Sequence, residues 1–206
     1  RDAVASLTDR IRADVIAAMK SGDKRKVETL RTLQPMFSMT KVMHPVCGEP
    51  MIAYPVSLAL KHGYHPVVVV ISKQGQVVRE FLSRRFGDRV RFAVQDPPLG
   101  TGHAVMSARK QLGSFRGKLA ILYGDVPLLA AQDLSALGRA GGKSSVAFVS
   151  CRLEDPSGYG RVVRDARGDA ERIVEHRDAT PAQRRIQEIN SGLYLVDVPF
   201  SFQGLG

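Results

Sequence analysis

Between residues 66 and 123, short apolar runs alternate with amphipathic helical segments, and this alternation restricts the possible folds. The clearest run is PVVVVIS at 66–72, whose consecutive β-branched residues are typical of a strand buried on both faces. Strands that alternate with helices predict a parallel sheet with right-handed crossovers. The other helices and strands of this part are predicted over 77–86, 90–95, 104–112 and 119–123.

The remainder of the chain extends this pattern. We predict a helix over 133–140 and strands near 145–150 and 190–196, with a hairpin between them over 158–176. The sequence therefore predicts an α/β fold with a mainly parallel sheet flanked by helices, and we assign it to one domain, residues 41–206.

Residues 1–34 have a different character. Apolar residues recur at helical spacing on both sides of a Ser-Gly-Asp break, which predicts an α-helical hairpin as a separate domain. The residues that form this pattern are Leu7, Ile11, Val15, Val27, Leu30 and Leu33.

Composition excludes several classes of protein. The 206 residues are 44% hydrophobic and 24% charged, and no apolar run approaches the ~20 residues of a membrane span. The chain has no secretory signal pattern, and Cys47 and Cys151 match no metal or redox spacing, so we expect a cytoplasmic protein with free thiols. The net charge of +10 suits an anionic ligand, but the Lys and Arg residues are dispersed without interleaved aromatic residues, so we expect no nucleic-acid partner.

Two segments at strand ends have the residue types for ligand chemistry. Asp125 follows Gly124 directly after the strand near 119–123, where a carboxylate can hold Mg²⁺ on a phosphate or cap the next turn. The loop QDPPLGTGHA at 95–104 joins a strand to a helix, and its N–H groups can receive an anion or a base edge, or form only a tight turn. The residues themselves leave both alternatives open.

Five segments together resemble a known family: KVMHPVCGEPMI, QDPPLGTGHAV, ILYGDVPLL, SGYGRVVR and IVEHRDATPAQRRIQEINSGLY. They occur in the order and at about the spacing of the sugar-nucleotide pyrophosphorylases. Residues 41–197 resemble in particular the GlmU-like N-acetylglucosamine-1-phosphate uridylyltransferase domain. The resemblance implies a Rossmann-like nucleotide-diphospho-sugar transferase fold. It also implies transfer of UMP from UTP to N-acetylglucosamine 1-phosphate, with release of pyrophosphate and with Mg²⁺ as cofactor.

The resemblance also implies roles for individual residues. Lys41 matches a lysine that contacts phosphate, and Asp125 matches the carboxylate that holds Mg²⁺; these two are the expected catalytic residues. The expected contacts to the uracil ring are Gln95, Gly100 and Thr101, and the expected contacts to the sugar phosphate are Tyr123, Gly124, Gly160, Glu175 and Asn190.

The sequence departs from this family ahead of Lys41. Family members have a strand and a glycine-rich loop, LAAGxGTRM, before the lysine, whereas this chain has the helical segment and TLQPMFSMT. The helical segment resembles the YqeY-like proteins, which are related to a domain of tRNA-dependent amidotransferases, and the two parts join near 34–40. The chain stops at Gly206, ahead of the family's second metal ligand and of the acetyltransferase β-helix, so we expect a monomer.

Two functions therefore remain open at the level of sequence. The first is a uridylyltransferase with weak or absent turnover, because the loop that binds the UTP phosphates is missing. The second is a non-catalytic binding module in which the YqeY-like hairpin docks a partner and the α/β part is a scaffold.

Overall fold

The computed structural model describes residues 41–142 and 144–198. These residues divide into two compact units, each described separately below. The first unit comprises the described residues up to Gly113 together with Gly124–Leu129, and the second comprises Ser114–Tyr123 and the described residues from Ala130 onward. The helical hairpin predicted over 1–34 lies outside the described residues and stays a prediction.

The first unit is built around a parallel strand pair. Its elements are β1 (Pro45–Val46), β2 (Glu49–Pro50), α1 (Ala53–Lys61), β3 (Val67–Ser72), α2 (Gln76–Phe86), β4 (Val90–Gln95) and α3 (Thr101–Leu112). β3 and β4 pair in parallel from Val67 opposite Val90 to Ser72 opposite Gln95. Since parallel strands need a crossover, α2 connects them, as the sequence pattern predicts.

The core of the first unit lies between its helices and β3. Helix α2 buries Val78, Leu82 and Phe86, which recur every four residues and therefore share one face. Leu82 is fully buried. These side chains pack in one cluster with Ile52, Val56, Val69, Ile71 and Val90.

The second unit is organised around a long central strand. Its elements are β5 (Lys118–Ile121), α4 (Ala131–Ala140), β6 (Val146–Arg152), β7 (Arg161–Arg164), β8 (Ala170–Val174), α5 (Pro181–Arg184) and β9 (Glu188–Asp197). β9 pairs with β5, β6 and β7, and β7 pairs with β8; all four pairings are antiparallel. Ile189, Leu193 and Leu195 of β9 are buried, so this strand forms the centre of the unit.

The predicted α/β fold is confirmed, but the pairing within it corrects one detail. A mainly parallel sheet was predicted, whereas among the described residues only β3 and β4 pair in parallel. Alternation of strands and helices along the chain predicts parallel pairing only where strands that are consecutive in sequence are also adjacent in the sheet. β5 and β6 instead pair with β9, which comes much later in the chain and runs in the opposite direction.

The bounds of the other predicted elements shift by a few residues. The strand predicted over 119–123 is Lys118–Ile121, and the helix predicted over 104–112 begins earlier, at Thr101. Within the described residues, no helix combines the length and the apolar character needed to cross a membrane.

Candidate functional site

In the first unit, Lys41 and Asp125 form an ion pair although they are far apart in sequence. The Lys41 Nζ lies 2.6 Å from the Asp125 Oδ2, and it donates a hydrogen bond to that oxygen. The Lys41 side chain is 62% exposed and that of Asp125 is 29% exposed, so the pair faces solvent. The carboxylate is therefore engaged with a cation rather than capping a turn, and both groups are accessible to a ligand.

The glycine before Asp125 has a packing role in this structure. A Cβ added at Gly124 would overlap the Cδ1 of Ile52, a buried core residue. Gly124 thus lets the chain pass close to the core and fixes the start of the segment that carries Asp125. This contact explains the residue without a ligand, and its predicted contact to the sugar phosphate stays a prediction.

These residues can hold Mg²⁺ only together with oxygen ligands that a substrate supplies. No group of three or more His, Cys, Asp or Glu side chains within the described ranges could hold a metal ion. Of the two residues of this ion pair, Asp125 is the one that can ligate a metal ion, and the Lys41 ammonium already occupies the place of a cation beside it. Mg²⁺ is commonly held by one or two carboxylates together with substrate phosphates. The residues present therefore fit Mg²⁺ if a phosphate supplies further oxygen ligands.

The predicted uracil contacts lie where β4 leads into α3. The Gln95 Nε2 donates to the Gly100 carbonyl at 2.9 Å and lies 3.2 Å from the Nδ1 of His103. Because the carbonyl accepts only, the Gln95 nitrogen must face it, and the Oε1 of the same amide has no partner among the described residues. This oxygen is able to accept a hydrogen bond from a ligand.

Gly100 shapes the start of the neighbouring helix. It precedes Thr101, the first residue of α3, and its φ of 106° is a value that L side chains rarely adopt. The first N–H groups of a helix have no partner within it, and they carry the positive end of its dipole. The loop therefore presents an acceptor on Gln95 next to a set of backbone donors.

In the second unit, strand register brings three predicted sugar residues together. Arg161 of β7 lies opposite Val174 of β8 and opposite Ile189 of β9, both in antiparallel pairs. The residue before Arg161 is Gly160, and the residues after its two partners are Glu175 and Asn190. In antiparallel strands these positions face one another, so Gly160 lies between Glu175 and Asn190.

Two contacts confirm this placement. The Asn190 backbone N–H donates to the Gly160 carbonyl at 2.9 Å. A Cβ added at Gly160 would lie 3.3 Å from the Glu175 Oε1, so that the carboxylate reaches over the glycine. Gly160 is buried while Glu175 is exposed, which makes this the edge of an accessible surface rather than a closed core.

The orientation of the Asn190 side chain is fixed by its neighbours. Its Oδ1 accepts from the Gly192 backbone N–H at 3.0 Å, and its Nδ2 donates to the Tyr194 hydroxyl oxygen. An inverted amide would place two donors against each other at Gly192. The second N–H of the Asn190 amide has no partner among the described residues and is therefore available to a ligand acceptor.

Tyr123 borders the same group of residues. Gly192 has a φ of 82°, and a Cβ added there would overlap the Tyr123 ring. The ring thus lies directly against the backbone of β9, next to Asn190. Gly192 meets two requirements at once, a left-handed backbone and a close aromatic contact.

Tyr194 lies against a candidate sugar residue, Asn190, and sequence reasoning did not single it out. Burial raises the pKa of its hydroxyl, and the nearby Tyr123 and Glu175 add to the rise. Its ring also lies 6.0 Å from that of Phe148. Side chains alternate between the two faces of a strand, and this pattern could have identified Tyr194 from the sequence. Asn190, Gly192 and Tyr194 are spaced by two and therefore share one face of β9.

Within each unit, some of the predicted site residues lie together. The first unit brings Lys41 together with Asp125, and Gln95 together with Gly100 at the start of α3. The second unit brings together Gly160, Glu175 and Asn190, with Tyr123 beside Asn190 across Gly192.

Comparison with known proteins gives consistent results. The family model described as nucleotidyl transferase matches residues 33–199. The bifunctional protein GlmU of Anaeromyxobacter dehalogenans is 48% identical over 168 residues, which are 80% of this chain and 34% of that protein. The protein of the same name from Syntrophotalea carbinolica is 40% identical over 199 residues, which are 96% of this chain and 40% of that protein. The chain thus spans little more than a third of the length of these relatives.

A solved structure shows that the fold is shared. HddC from Yersinia pseudotuberculosis, crystallised with GMP-PN, is similar with a TM-score of 0.58. The similarity covers 76% of this chain and 67% of that chain at 22% sequence identity. At this identity the likeness concerns the fold.

Proposed function

The chain belongs to the nucleotidyl transferase family, and we propose that it carries a site for uridylyl transfer to N-acetylglucosamine 1-phosphate. The substrates are UTP and the sugar 1-phosphate, and the products are UDP-N-acetylglucosamine and pyrophosphate. The observation that carries this proposal is the register of β7, β8 and β9, which sets Glu175 and Asn190 on either side of Gly160. The identity of up to 48% with GlmU proteins supports the choice of substrates.

The second unit supplies the sugar contacts in this proposal. A pyranose presents hydroxyl groups that both donate and accept, and an N-acetyl group adds a carbonyl acceptor and an amide donor. The Glu175 carboxylate accepts from donors, while the free N–H of the Asn190 amide donates to an acceptor. Because Gly160 has no side chain, the sugar can approach the backbone between them.

The first unit supplies the uracil contacts. Uracil has one N–H donor between two carbonyl acceptors along its pairing edge. The unpartnered Oε1 of Gln95 can accept from the N–H, and the backbone donors at the start of α3 can serve a carbonyl. Gly100 permits close approach of the ring at this point.

The reaction requires no protein nucleophile. An oxygen of the sugar phosphate attacks the α-phosphorus of UTP, and the bond from that phosphorus to the bridging oxygen of the pyrophosphate breaks. In this proposal Lys41 supplies positive charge to the phosphates, and Asp125, with which it is paired, is the residue that would hold Mg²⁺. When bound, Mg²⁺ neutralises negative charge that develops on the phosphate oxygens. The remaining contribution of the protein is to position the two substrates.

A product assay tests the proposal. Wild-type protein is incubated with UTP, Mg²⁺ and N-acetylglucosamine 1-phosphate, and UDP-N-acetylglucosamine and pyrophosphate are both measured. We expect product with this sugar phosphate in preference to glucose 1-phosphate, loss of product in Asp125→Ala, and no loss in Asp88→Ala, which changes an exposed aspartate elsewhere in the first unit. If product is absent and UDP-N-acetylglucosamine does not bind in a direct titration, the proposal is wrong.

A further inference from the structure

Arg161 is buried although it carries a charge. It is 1% exposed and is the buried charged residue of the part of the chain that the structure describes. None of the described carboxylates lies within ion-pair distance of its guanidinium, and its Nε has no hydrogen-bond partner. A buried charge is costly unless it is paired, so the position requires an explanation beyond packing.

The partners of Arg161 come from three separate segments. One terminal nitrogen donates to the Tyr159 carbonyl, and the other lies 3.1 Å from the Nδ1 of His176 and donates to the Arg184 carbonyl at 3.5 Å. These partners belong to the loop before β7, the turn after β8 and the end of α5. The guanidinium thus links these three segments.

His176 connects Arg161 to Glu175, because its ring contacts Arg161 and Glu175 is the preceding residue in the chain. Its Nδ1 lies 3.2 Å from the Gly158 backbone N–H, which donates to it, and within hydrogen-bond distance of Arg161. Both neighbours are donors, so the Nδ1 must accept from both and the ring proton must lie on the Nε2. The Nδ1 therefore accepts at the turn beginning at Glu175, where the Asp178 N–H also donates to the Glu175 carbonyl at 3.0 Å.

We propose that Arg161 is a positioning residue of the sugar pocket, which holds Glu175 against Gly160 through His176 and the Tyr159 carbonyl. This inference rests on the proposed function, since that function makes Glu175 and Gly160 sugar contacts. The Glu175 Oε1 lies only 3.3 Å from the place of a Gly160 Cβ, so a small displacement of the turn moves the carboxylate relative to the glycine. A buried arginine bound mainly to main-chain oxygen is suited to this task because its planar donors fix several segments at once.

Two matched pairs of variants test the inference. His176→Asn keeps an acceptor close to the place of the Nδ1, whereas His176→Leu removes it at similar volume. Arg161→Lys keeps the charge, whereas Arg161→Met removes charge and donors together. Arg172→Met is the control, because Arg172 is an exposed arginine on the neighbouring strand β8.

The first measurement is affinity for UDP and for UDP-N-acetylglucosamine, since the ratio of the two isolates the contribution of the sugar. In His176→Leu and Arg161→Met we expect the ratio of the affinity for UDP-N-acetylglucosamine to the affinity for UDP to fall by about tenfold or more, while the affinity for UDP itself stays unchanged. His176→Asn should recover most of the contribution, and Arg172→Met should equal wild type. A His176→Leu variant that retains the full contribution would overturn the inference.

The second measurement does not depend on function. Backbone amide resonances of Gly160 and Glu175 should shift in ligand-free His176→Leu and stay near wild type in His176→Asn and Arg172→Met. Unchanged resonances in His176→Leu would overturn the inference even if Arg161→Met fails to fold. If wild type binds no UDP-N-acetylglucosamine, the proposed function fails, while the resonances still decide whether Arg161 and His176 hold the turn.

Discussion

The Asn190 backbone N–H donates to the Gly160 carbonyl at 2.9 Å, across the point where β7 meets β9. These residues are thirty positions apart in sequence, and the antiparallel register alone makes them neighbours. Glu175, the residue after β8, reaches the same glycine through the register of β7 and β8. The backbone positions of the candidate sugar pocket are thus set by strand pairing.

Substitution of Gly160 should impair sugar binding more than stability. In Gly160→Ala the new Cβ would lie 3.0 Å from the Ile173 Cγ2 and 3.3 Å from the Glu175 Oε1, so Glu175 must move. We expect the affinity for UDP-N-acetylglucosamine to fall by about tenfold while the affinity for UDP stays unchanged, as for loss of one hydrogen bond to a charged group. Calorimetric titration measures both, and an equal loss for both ligands would contradict the assignment of Gly160 to the sugar.

Substitution of Gly192 should instead destabilise the fold. In Gly192→Ala the backbone must keep a φ of 82° and the Cβ must displace the Tyr123 ring. Left-handed backbone alone costs about 1–3 kcal/mol for a residue other than glycine, and the clash adds to this. We expect urea denaturation to show a loss of about 2–3 kcal/mol in the free energy of unfolding.

The matched control for this substitution is Gly138→Ala. Gly138 lies within helix α4, and a Cβ added there would meet nothing within 4 Å. Alanine should raise the free energy of unfolding by up to about 1 kcal/mol, because it is the better helix former. A Gly192→Ala variant as stable as wild type would show that the contact between Tyr123 and β9 is misplaced.

Glu188 should make stability depend on pH in the acid range. Its carboxylate accepts from the Arg164 Nε at 2.8 Å and from the Ser150 hydroxyl at 2.6 Å. These bonds, those from Arg164 first, lower the pKa of Glu188 from 4.5 to about 2 in the folded protein. Since the folded pKa is the lower one, the contribution to stability is full above pH 4.5 and is lost as the pH falls towards about 2.

A single substitution checks this effect. Glu188→Gln should lower the free energy of unfolding at pH 7 by about 1–2 kcal/mol, because solvent screens the partly exposed Arg164. It should also flatten the dependence of stability on pH between about 5 and 2. Thermal denaturation over this range measures both effects, with Glu171→Gln, an exposed glutamate of β8, as the control. A variant with the same pH dependence as wild type would contradict the role of Glu188.

Turnover should be far below that of an ordinary enzyme. The family's glycine-rich loop, LAAGxGTRM, does not precede Lys41, where the chain has TLQPMFSMT. Loss of even one donor to developing charge costs about 3 kcal/mol, or roughly a hundredfold in rate, and the resemblance implies that this loop supplies such donors. Continuous measurement of pyrophosphate release gives the rate. A value near the ordinary enzyme's ~10 per second would show that another segment replaces the loop.

The sequence was most informative where local pattern and topology agree. The β-branched run at 66–72 and the amphipathic residues after it predicted β3, α2 and β4, because a parallel pair needs a connecting helix. The antiparallel pairing of β5 and β6 with β9 was not predictable in the same way. Local alternation identifies a strand but carries no information on a partner that is 36 or more residues away, as Glu188 is from Arg152.

The candidate site also contains residues that the sequence predicted and residues that it did not. The family resemblance gave Gly160, Glu175 and Asn190, and the register of three strands explains why they lie together. Tyr194 was missed because one tyrosine in an apolar strand is typical of core packing. Arg161 was missed because nothing in the sequence distinguishes a buried arginine from an exposed one, such as its neighbour Arg164.

The assignment of the site is tested most directly by a titration of isotope-labelled protein with UDP-N-acetylglucosamine, in which the backbone amide resonances are recorded. We expect saturable shifts at Gly160, Glu175 and Asn190 in the second unit and at Gln95 and Gly100 in the first. UDP alone should shift only the resonances of the first unit. Absence of shifts at millimolar ligand, or shifts confined to residues outside these two groups, would contradict the assignment of the site.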